Sequence, residues 1–222
     1  MEEERKNGEG ARAELAEIIE RSRPFIRHMS YYRCAMMTIE TKCNVLNEEF
    51  SLLHDRNPIV SIKSRLKSPV SIQNKLSKLG APFHMASMVE NIHDIAGVRV
   101  VCSFVDDVYM LADALLRQND VTLITKKDYI ASPKANGYRS LHLIVSVPVF
   151  LANETRSVEV ELQLRTLAMD TWANLEHQLR YKKNVLFSSK MADELIRCAD
   201  LSVELDRRMG NLQKQLSEAE DS

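Results

Sequence analysis

From about Ala11 to Leu53 apolar residues recur at three- and four-residue spacing: Leu15, Ile18 and Ile19, then Met29, Tyr32, Met36 and Ile39, then Val45, Leu46, Phe50 and Leu53. That is the period of an amphipathic helix. Pro24 and the polar run Asp55-Arg56-Asn57-Pro58 predict interruptions, so the region should divide into two or more helices, with residues 1–10 frayed. The Met and Tyr stripe reads as helix core. Beyond Pro58 the pattern changes type. Residues 59–67 and 98–104 read as strands, the second too apolar to lie anywhere but inside a sheet. Residues 71–79 and 106–118 read as helices, each opened by a residue suited to N-capping. Strands follow at 121–130, 141–150 and 158–165, then a long helix over 167–182. After a break near 184–189, the last helix carries Leu195, Cys198, Leu205, Met209, Leu212 and Leu216 on one face. There is no internal repeat and no low-complexity linker. The predicted fold is α+β, a mixed β-sheet flanked by helices with N- and C-terminal helical extensions. It divides into a helical extension (1–57), a central domain (58–184) and a C-terminal amphipathic helix (185–222).

Composition narrows this picture modestly. A chain of 222 residues with 45% hydrophobic content can bury a core of its own. Thirty basic residues against 31 acidic ones give a net charge of −1, so no global field announces a nucleic-acid or membrane partner. Locally, residues 59–81 hold Lys63, Arg65, Lys67, Lys75 and Lys78 without one acid, and residues 218–221 are acidic. Cys34, Cys43, Cys102 and Cys198 are widely spaced and form no CxxC; Cys102 sits in an apolar run and reads as a buried thiol. A reducing, cytoplasmic setting is expected. The acidic start does not read as a signal peptide, and no apolar run reaches the length of a membrane span.

The candidate chemistry lies on the predicted strands. In 158–165, alternation puts Glu159, Glu161, Gln163 and Arg165 on one face and Val158, Val160, Leu162 and Leu164 on the other. Asp94 stands just before the second strand, close to Gly97, where the backbone can approach a ligand. Singly, Asp94 reads as a turn acid and the strand face as solvated. Two such acids on neighbouring strands, among basic residues, could share a Mg²⁺ ion. Ser71 at a helix start offers N–H groups and a hydroxyl to an anion, and Lys67 and Lys75 offer charges to a triphosphate; an ordinary solvated basic helix fits the same residues. Tyr138, after Lys134-Ala135-Asn136-Gly137, should sit at a turn where it either stacks on a base or caps the core edge. His142 shares the polar face of its strand with Ser140, and alone reads as structural. Six histidines form no zinc pattern, and no GxxxxGK[ST] loop occurs, which excludes a P-loop enzyme. A metallophosphohydrolase is excluded as well, since the His-Asp pairs His54-Asp55 and His93-Asp94 have no partner histidines at helical spacing.

Arg65-Leu66-Lys67-Ser68, His93-Asp94-Ile95-Ala96-Gly97-Val98-Arg99, Asp128-Tyr129-Ile130, Lys134 through His142, Glu161-Leu162-Gln163-Leu164-Arg165-Thr166, Trp172 and Glu176-His177 occur in this order. Together they resemble the RelA/SpoT-type alarmone synthetase domain, over about residues 59–184. The short chain is most similar to the small, synthetase-only members, of the RelP branch first and the RelQ branch second. The resemblance implies transfer of the β,γ-pyrophosphate of ATP to the 3′-hydroxyl of GDP or GTP, giving (p)ppGpp and AMP. It casts Asp94 and Glu161 as Mg²⁺ ligands, with Glu161 also the candidate base. Arg65 and Arg99 would sandwich the adenine, and Lys67, Ser71 and Lys75 would take the triphosphate. Tyr138 would stack on guanine with Asn174 reading its edge; Lys127, Lys134 and His142 would meet the acceptor's phosphates, with Gln163 and Arg165 in support. A homotetramer is implied, assembled through the terminal helices, with neither a membrane nor an obligatory nucleic acid as partner. Related small synthetases use other acceptors, an adenosine nucleotide or the tRNA 3′ end. A nucleotide-sensing module without catalysis would be expected to have lost its metal-binding acids, and both are present. Ser64 departs from the glycine that many small synthetases carry before the arginine.

Overall fold

The structure is a computed structural model and describes residues 2–54, 56–180 and 187–220. The chain runs α1 (Glu2–His54), β1 (Ile59–Leu66), α2 (Pro69–Lys78), α3 (Met85–Asn91), β2 (Ala96–Cys102), α4 (Val105–Leu116), β3 (Thr122–Asp128), β4 (Leu141–Phe150), β5 (Thr155–Thr166), α5 (Leu167–Arg180) and α6 (Ser189–Glu220). The strands form one mixed sheet in the order β1-β2-β5-β4-β3, in which β2 and β5 run parallel and the other pairs antiparallel.

The two faces of this sheet have different fates, and the alternation of the sequence decides which. Val98, Val100, Leu141, Leu143, Val145, Val160, Leu162 and Leu164 are in register on one face and fully buried. They share a core with Tyr32, Ala35, Ile39, Cys43, Leu46 and Phe50 of α1 and with Val108, Leu111 and Leu115 of α4. The opposite face carries Lys63 and Arg65 of β1, Gly97 and Arg99 of β2, Glu161, Gln163 and Arg165 of β5, and His142 of β4. The register places these side by side: Lys63 opposite Arg99, Arg65 opposite Gly97, Gly97 opposite Glu161, Arg99 opposite Gln163, and Gln163 opposite His142.

Three expectations change. The predicted break at Pro24 does not occur: α1 is continuous from Glu2, with Pro24 inside it, so residues 2–10 are helical rather than frayed. An interior proline costs about 3 kcal/mol. Pro24 itself is exposed, while the turns after it bury Tyr31, Tyr32, Ala35 and Ile39 on the sheet. At about 1.5–3 kcal/mol per buried large side chain, that packing outweighs the lost bond. Val45 and Leu53 lie outside the buried stripe, on the exposed side of α1. Second, α2 is capped by Ser68, with Pro69 opening the helix, rather than by Ser71. Third, α4 starts at Val105, and the Asp107 carboxylate accepts the Phe104 N–H at 3.1 Å. The short α3, capped by the Nδ1 of His84, was not predicted; it is a single pair of turns whose one strong signal, a histidine cap, is uncommon. The helix predicted over 167–182 runs to Arg180, and most of the break predicted at 184–189 lies outside the described residues.

Candidate active site

The open sheet face, with Lys67 just past β1 and the turn before β2, encloses a cleft of about 430 Å³ lined by Lys63, Ser64, Arg65, Lys67, Asp94, Gly97, Val98, Arg99, Glu161 and Gln163. Gly97 is its floor. A Cβ added there would meet only the Arg65 carbonyl oxygen, at 3.6 Å, so glycine leaves room above the sheet rather than relieving a clash. Asp94 enters from the turn before β2 and receives the Nζ of Lys67 at 2.7 Å and of Lys75 at 2.8 Å. Burial pushes its carboxyl upward, but the two lysine bonds and charges outweigh burial and hold its pKa below the usual value. Arg65 makes no side-chain hydrogen bond or ion pair among the described residues, which leaves its guanidinium available at the mouth of the cleft. Ser71 is in the first turn of α2 with its N–H already donated to the Ser68 Oγ (3.2 Å). The hydroxyl, 2.9 Å from the same oxygen, is what it can still turn to a ligand.

Toward β4 the site becomes a chain of contacts. Arg165 Nη2 donates to Gln163 Oε1 (3.0 Å), Gln163 Nε2 donates to Glu161 Oε2 (2.9 Å), and Glu161 Oε1 lies 3.2 Å from His142 Nδ1. His142 Nε2 is 2.9 Å from the Tyr138 hydroxyl. For Glu161, burial raises the carboxyl and the charge of Asp94 adds to it. The hydrogen bond and charge of His142 and the bond from Gln163 outweigh both, so the net pKa is lowered. Glu161 is therefore an anion at neutral pH, which suits a cation ligand better than a strong base.

Tyr138 follows Gly137, whose φ of +90° turns the chain into β4. A Cβ at Gly137 would come within 2.6 Å of the Ala199 Cβ on α6, so the turn is seated directly on the last helix. The Nζ of Lys134 lies 4.6 Å from the Tyr129 ring and 4.9 Å from the Tyr138 ring. Lys127 is opposite His142 at the exposed edge formed by β3. Asn174, on α5, donates its Nδ2 to Asp170 Oδ2 (2.8 Å), and its Oδ1 accepts from Arg99 Nη1 (3.5 Å).

The structure thus brings the predicted residues together as two adjoining groups: Arg65, Lys67, Lys75, Asp94 and Arg99 at one end, and Lys127, Lys134, Tyr138, His142, Gln163, Arg165 and Asn174 at the other. Glu161 lies between them. Sequence reasoning assigned nothing to Asp170, although its i,i+4 spacing from Asn174 was a signal that both share a helix face. It also left Tyr129 without a role, and its ring packs edge-on to His142 at 5.2 Å. Among the described residues no group of three or more His, Cys, Asp or Glu side chains could hold a metal by itself.

Residues 64–185 match the family model described as a region found in RelA/SpoT proteins. GTP pyrophosphokinase YwaC of Bacillus subtilis is 44% identical over 185 residues, covering 83% of this chain and 88% of its own. The crystal structure of small alarmone synthetase 1 from Bacillus subtilis bound to its product pppGpp is 34% identical with a TM-score of 0.77, covering 86% of this chain and 97% of that one. The same synthetase bound to AMPCPP is also similar, at 31% identity and a TM-score of 0.73, covering 88% and 99%.

Proposed function

The chain belongs to the RelA/SpoT family, and we propose that it is a small GTP pyrophosphokinase that makes the alarmone (p)ppGpp from ATP and GDP or GTP. The observation that carries this reading is the pair of ionised carboxylates, Asp94 and Glu161, facing one cleft beside Arg65, Lys67 and Arg99. The relatives support it: one is named a GTP pyrophosphokinase, and one solved neighbour holds pppGpp. Wording around Cys102-Ser103-Phe104 and Tyr109-Met110-Leu111-Ala112 favours the RelP branch over the RelQ branch.

The acceptor's 3′-oxygen attacks the β-phosphorus of ATP, the bond from that phosphorus to the α,β-bridging oxygen breaks, and AMP leaves with that oxygen. The hydroxyl proton passes to a base, for which Glu161 is the candidate. With its pKa lowered, Glu161 contributes more by position and charge than by basicity, so alignment and neutralisation carry most of the rate. Arg65 and Arg99 suit an adenine between planar guanidinium groups. Lys67, Lys75 and the Ser71 hydroxyl suit the triphosphate. Tyr138 supplies a stacking surface for guanine, with Asn174 at its edge, and Lys127, Lys134 and His142 suit the acceptor's phosphates. Gln163 and Arg165 hold Glu161.

Two carboxylates, with no third His, Cys, Asp or Glu ligand grouped with them among the described residues, fit Mg²⁺, which takes one or two carboxylates and completes its shell with water and phosphate. Asp94 and Glu161 would hold it, and it would supply charge neutralisation on the transferred phosphates. Lys67 and Lys75, which occupy both Asp94 oxygens here, would then be free to move to the phosphates. On α6, Leu205 (53% exposed), Met209, Leu212 and Leu216 form an uncovered apolar stripe, which supports assembly through this helix as a homotetramer. Among the described residues no helix is long and apolar enough to cross a membrane; a cytoplasmic enzyme fits the reading.

The test is nucleotide separation after incubation with ATP, Mg²⁺ and GDP, GTP, ADP or uncharged tRNA in parallel, with Glu161→Gln as control. A 3′-pyrophosphorylated guanosine nucleotide formed by the wild type and not by the variant supports the reading. Product on ADP or tRNA with none on GDP or GTP overturns the choice of acceptor.

A further inference from the structure

Asp170 lies in the first turn of α5, with its side chain 10% exposed. Three partners surround it. Its Oδ2 accepts the Nδ2 of Asn174 at 2.8 Å. Its Oδ1 is 3.5 Å from Arg165 Nη1 and 3.7 Å from Arg99 Nη1, in ion-pair range of both guanidinium groups, yet it accepts no hydrogen bond from either. The Nε atoms of Arg99 and Arg165 are likewise buried and unpartnered. Two arginines in this position repel one another. Burial holds the Arg165 pKa down and the charge of Arg99 pushes the same way, with the Asp170 carboxylate acting against both.

One buried carboxylate therefore touches all three branches of the site. Through Arg99 it meets the donor end, and through Asn174 the acceptor end. Through Arg165, Gln163 and Glu161 it meets the acid between them, and that chain continues to His142 and Tyr138. The Arg165 guanidinium also lies 5.7 Å from the Tyr138 ring, which closes the circuit. We propose that Asp170 is a positioning residue that couples the two nucleotide subsites, holding Arg99, Arg165 and Asn174 in one arrangement that either nucleotide completes. The proposal rests on the subsite assignments made under the proposed function. A loose ion-pair geometry around an unpartnered oxygen is an arrangement left to close. When adenine seats against Arg99, the guanidinium turns onto Oδ1, Asn174 is released from its 3.5 Å contact with Arg99, and its amide is set for the guanine edge. Binding at one end thus orders the other.

The experiment measures steady-state KM for ATP and for GDP, and ATP affinity by calorimetry with and without GDP, in the wild type, Asp170→Asn, Asp170→Glu, Asn174→Ala and Arg99→Ala. A displacement of about 1 Å in a positioning group costs up to about a hundredfold. Asp170→Asn is expected to raise both KM values about tenfold or more and to abolish the mutual enhancement of binding that the wild type should show. Asn174→Ala should raise chiefly the KM for GDP and Arg99→Ala chiefly that for ATP, and each should also lose the enhancement, because both side chains carry the coupling. Asp170→Glu keeps the charge that Arg165 needs but moves it, so it folds even if the asparagine variant does not, and it too should lose the enhancement. Unchanged KM values in Asp170→Glu, or ATP and GDP that bind independently in the wild type, overturn the proposal. A wild type that binds ATP but pyrophosphorylates no guanosine nucleotide refutes the functional reading instead. In that case, ATP affinity in the two Asp170 variants, unchanged or lowered, still decides whether Asp170 holds Arg99.

Discussion

Replacing Tyr138 by alanine isolates the acceptor's base from the rest of the chemistry. An aromatic platform contributes about 1–3 kcal/mol to binding a stacked base. The ring is not idle without nucleotide: Lys134 lies 4.9 Å from it, a cation–π contact of about 0.5–1 kcal/mol that guanine must displace. The net loss on truncation is then about 1–2 kcal/mol, which is about a 5- to 30-fold rise in the KM for GDP or GTP. The KM for ATP should stay as it was, because Arg65 and Arg99 lie at the other end of the cleft. Tyr138→Phe keeps the ring and removes the hydroxyl 2.9 Å from His142 Nε2. It should leave the acceptor KM within about twofold and lower kcat, since His142 loses one of the two groups that fix its ring beside Glu161; one net hydrogen bond is about 0.5–1.5 kcal/mol, or a few-fold. Initial rates against acceptor concentration at saturating ATP, and the converse, read both effects. An unchanged acceptor KM in Tyr138→Ala refutes the stacking assignment, and a larger KM effect in the phenylalanine variant than in the alanine one refutes the division of labour.

Asp94→Asn should abolish transfer while keeping the fold. Its pH behaviour has a definite sign. The folded pKa of Asp94 is depressed, so its contribution to stability is complete above the unfolded value of about 3.9 and lost as pH falls through the folded one. The gap in melting temperature between wild type and Asp94→Asn should be constant from neutrality to about pH 5 and close below about pH 4; a gap that widens toward acid contradicts the lysine clamp. Gly137→Ala meets both a φ of +90° and a Cβ 2.6 Å from that of Ala199, and should cost about 2 kcal/mol, or about 4–8 °C in a chain of this size, while raising the acceptor KM. Differential scanning fluorimetry and the same kinetics check it, and a neutral result would mean α6 does not seat the turn. Light scattering at micromolar concentration should give the mass of four chains, against which a monomer would count. Charged substitutions at Leu205 and Leu212 should lower that mass.

What the sequence disclosed and what it concealed follow one physical line. Period-two alternation is local, so the polar face of β5 and the buried Val158, Val160, Leu162 and Leu164 are legible in the sequence alone. The lysines on Asp94 were foreseeable as a basic cluster, but their pairing with that acid depends on the α2 start folding back over the β2 turn. Pro24 misled because propensity is local while the cost is met by tertiary packing of residues 31–50. Ser68 was overlooked as a cap although Pro69, a favoured first helical residue, follows it. Asp170 was invisible as chemistry because its partners come from β2, β5 and the next turn of its own helix.

The most direct test supplies the protein with ATP labelled in its γ-phosphate, Mg²⁺ and unlabelled GDP or GTP, and follows where the label goes. The account predicts label in the 3′-pyrophosphate of a guanosine nucleotide, with one AMP formed per product and nothing from Glu161→Gln. Label released as inorganic phosphate with ADP, or no labelled guanosine nucleotide from either acceptor, would contradict it.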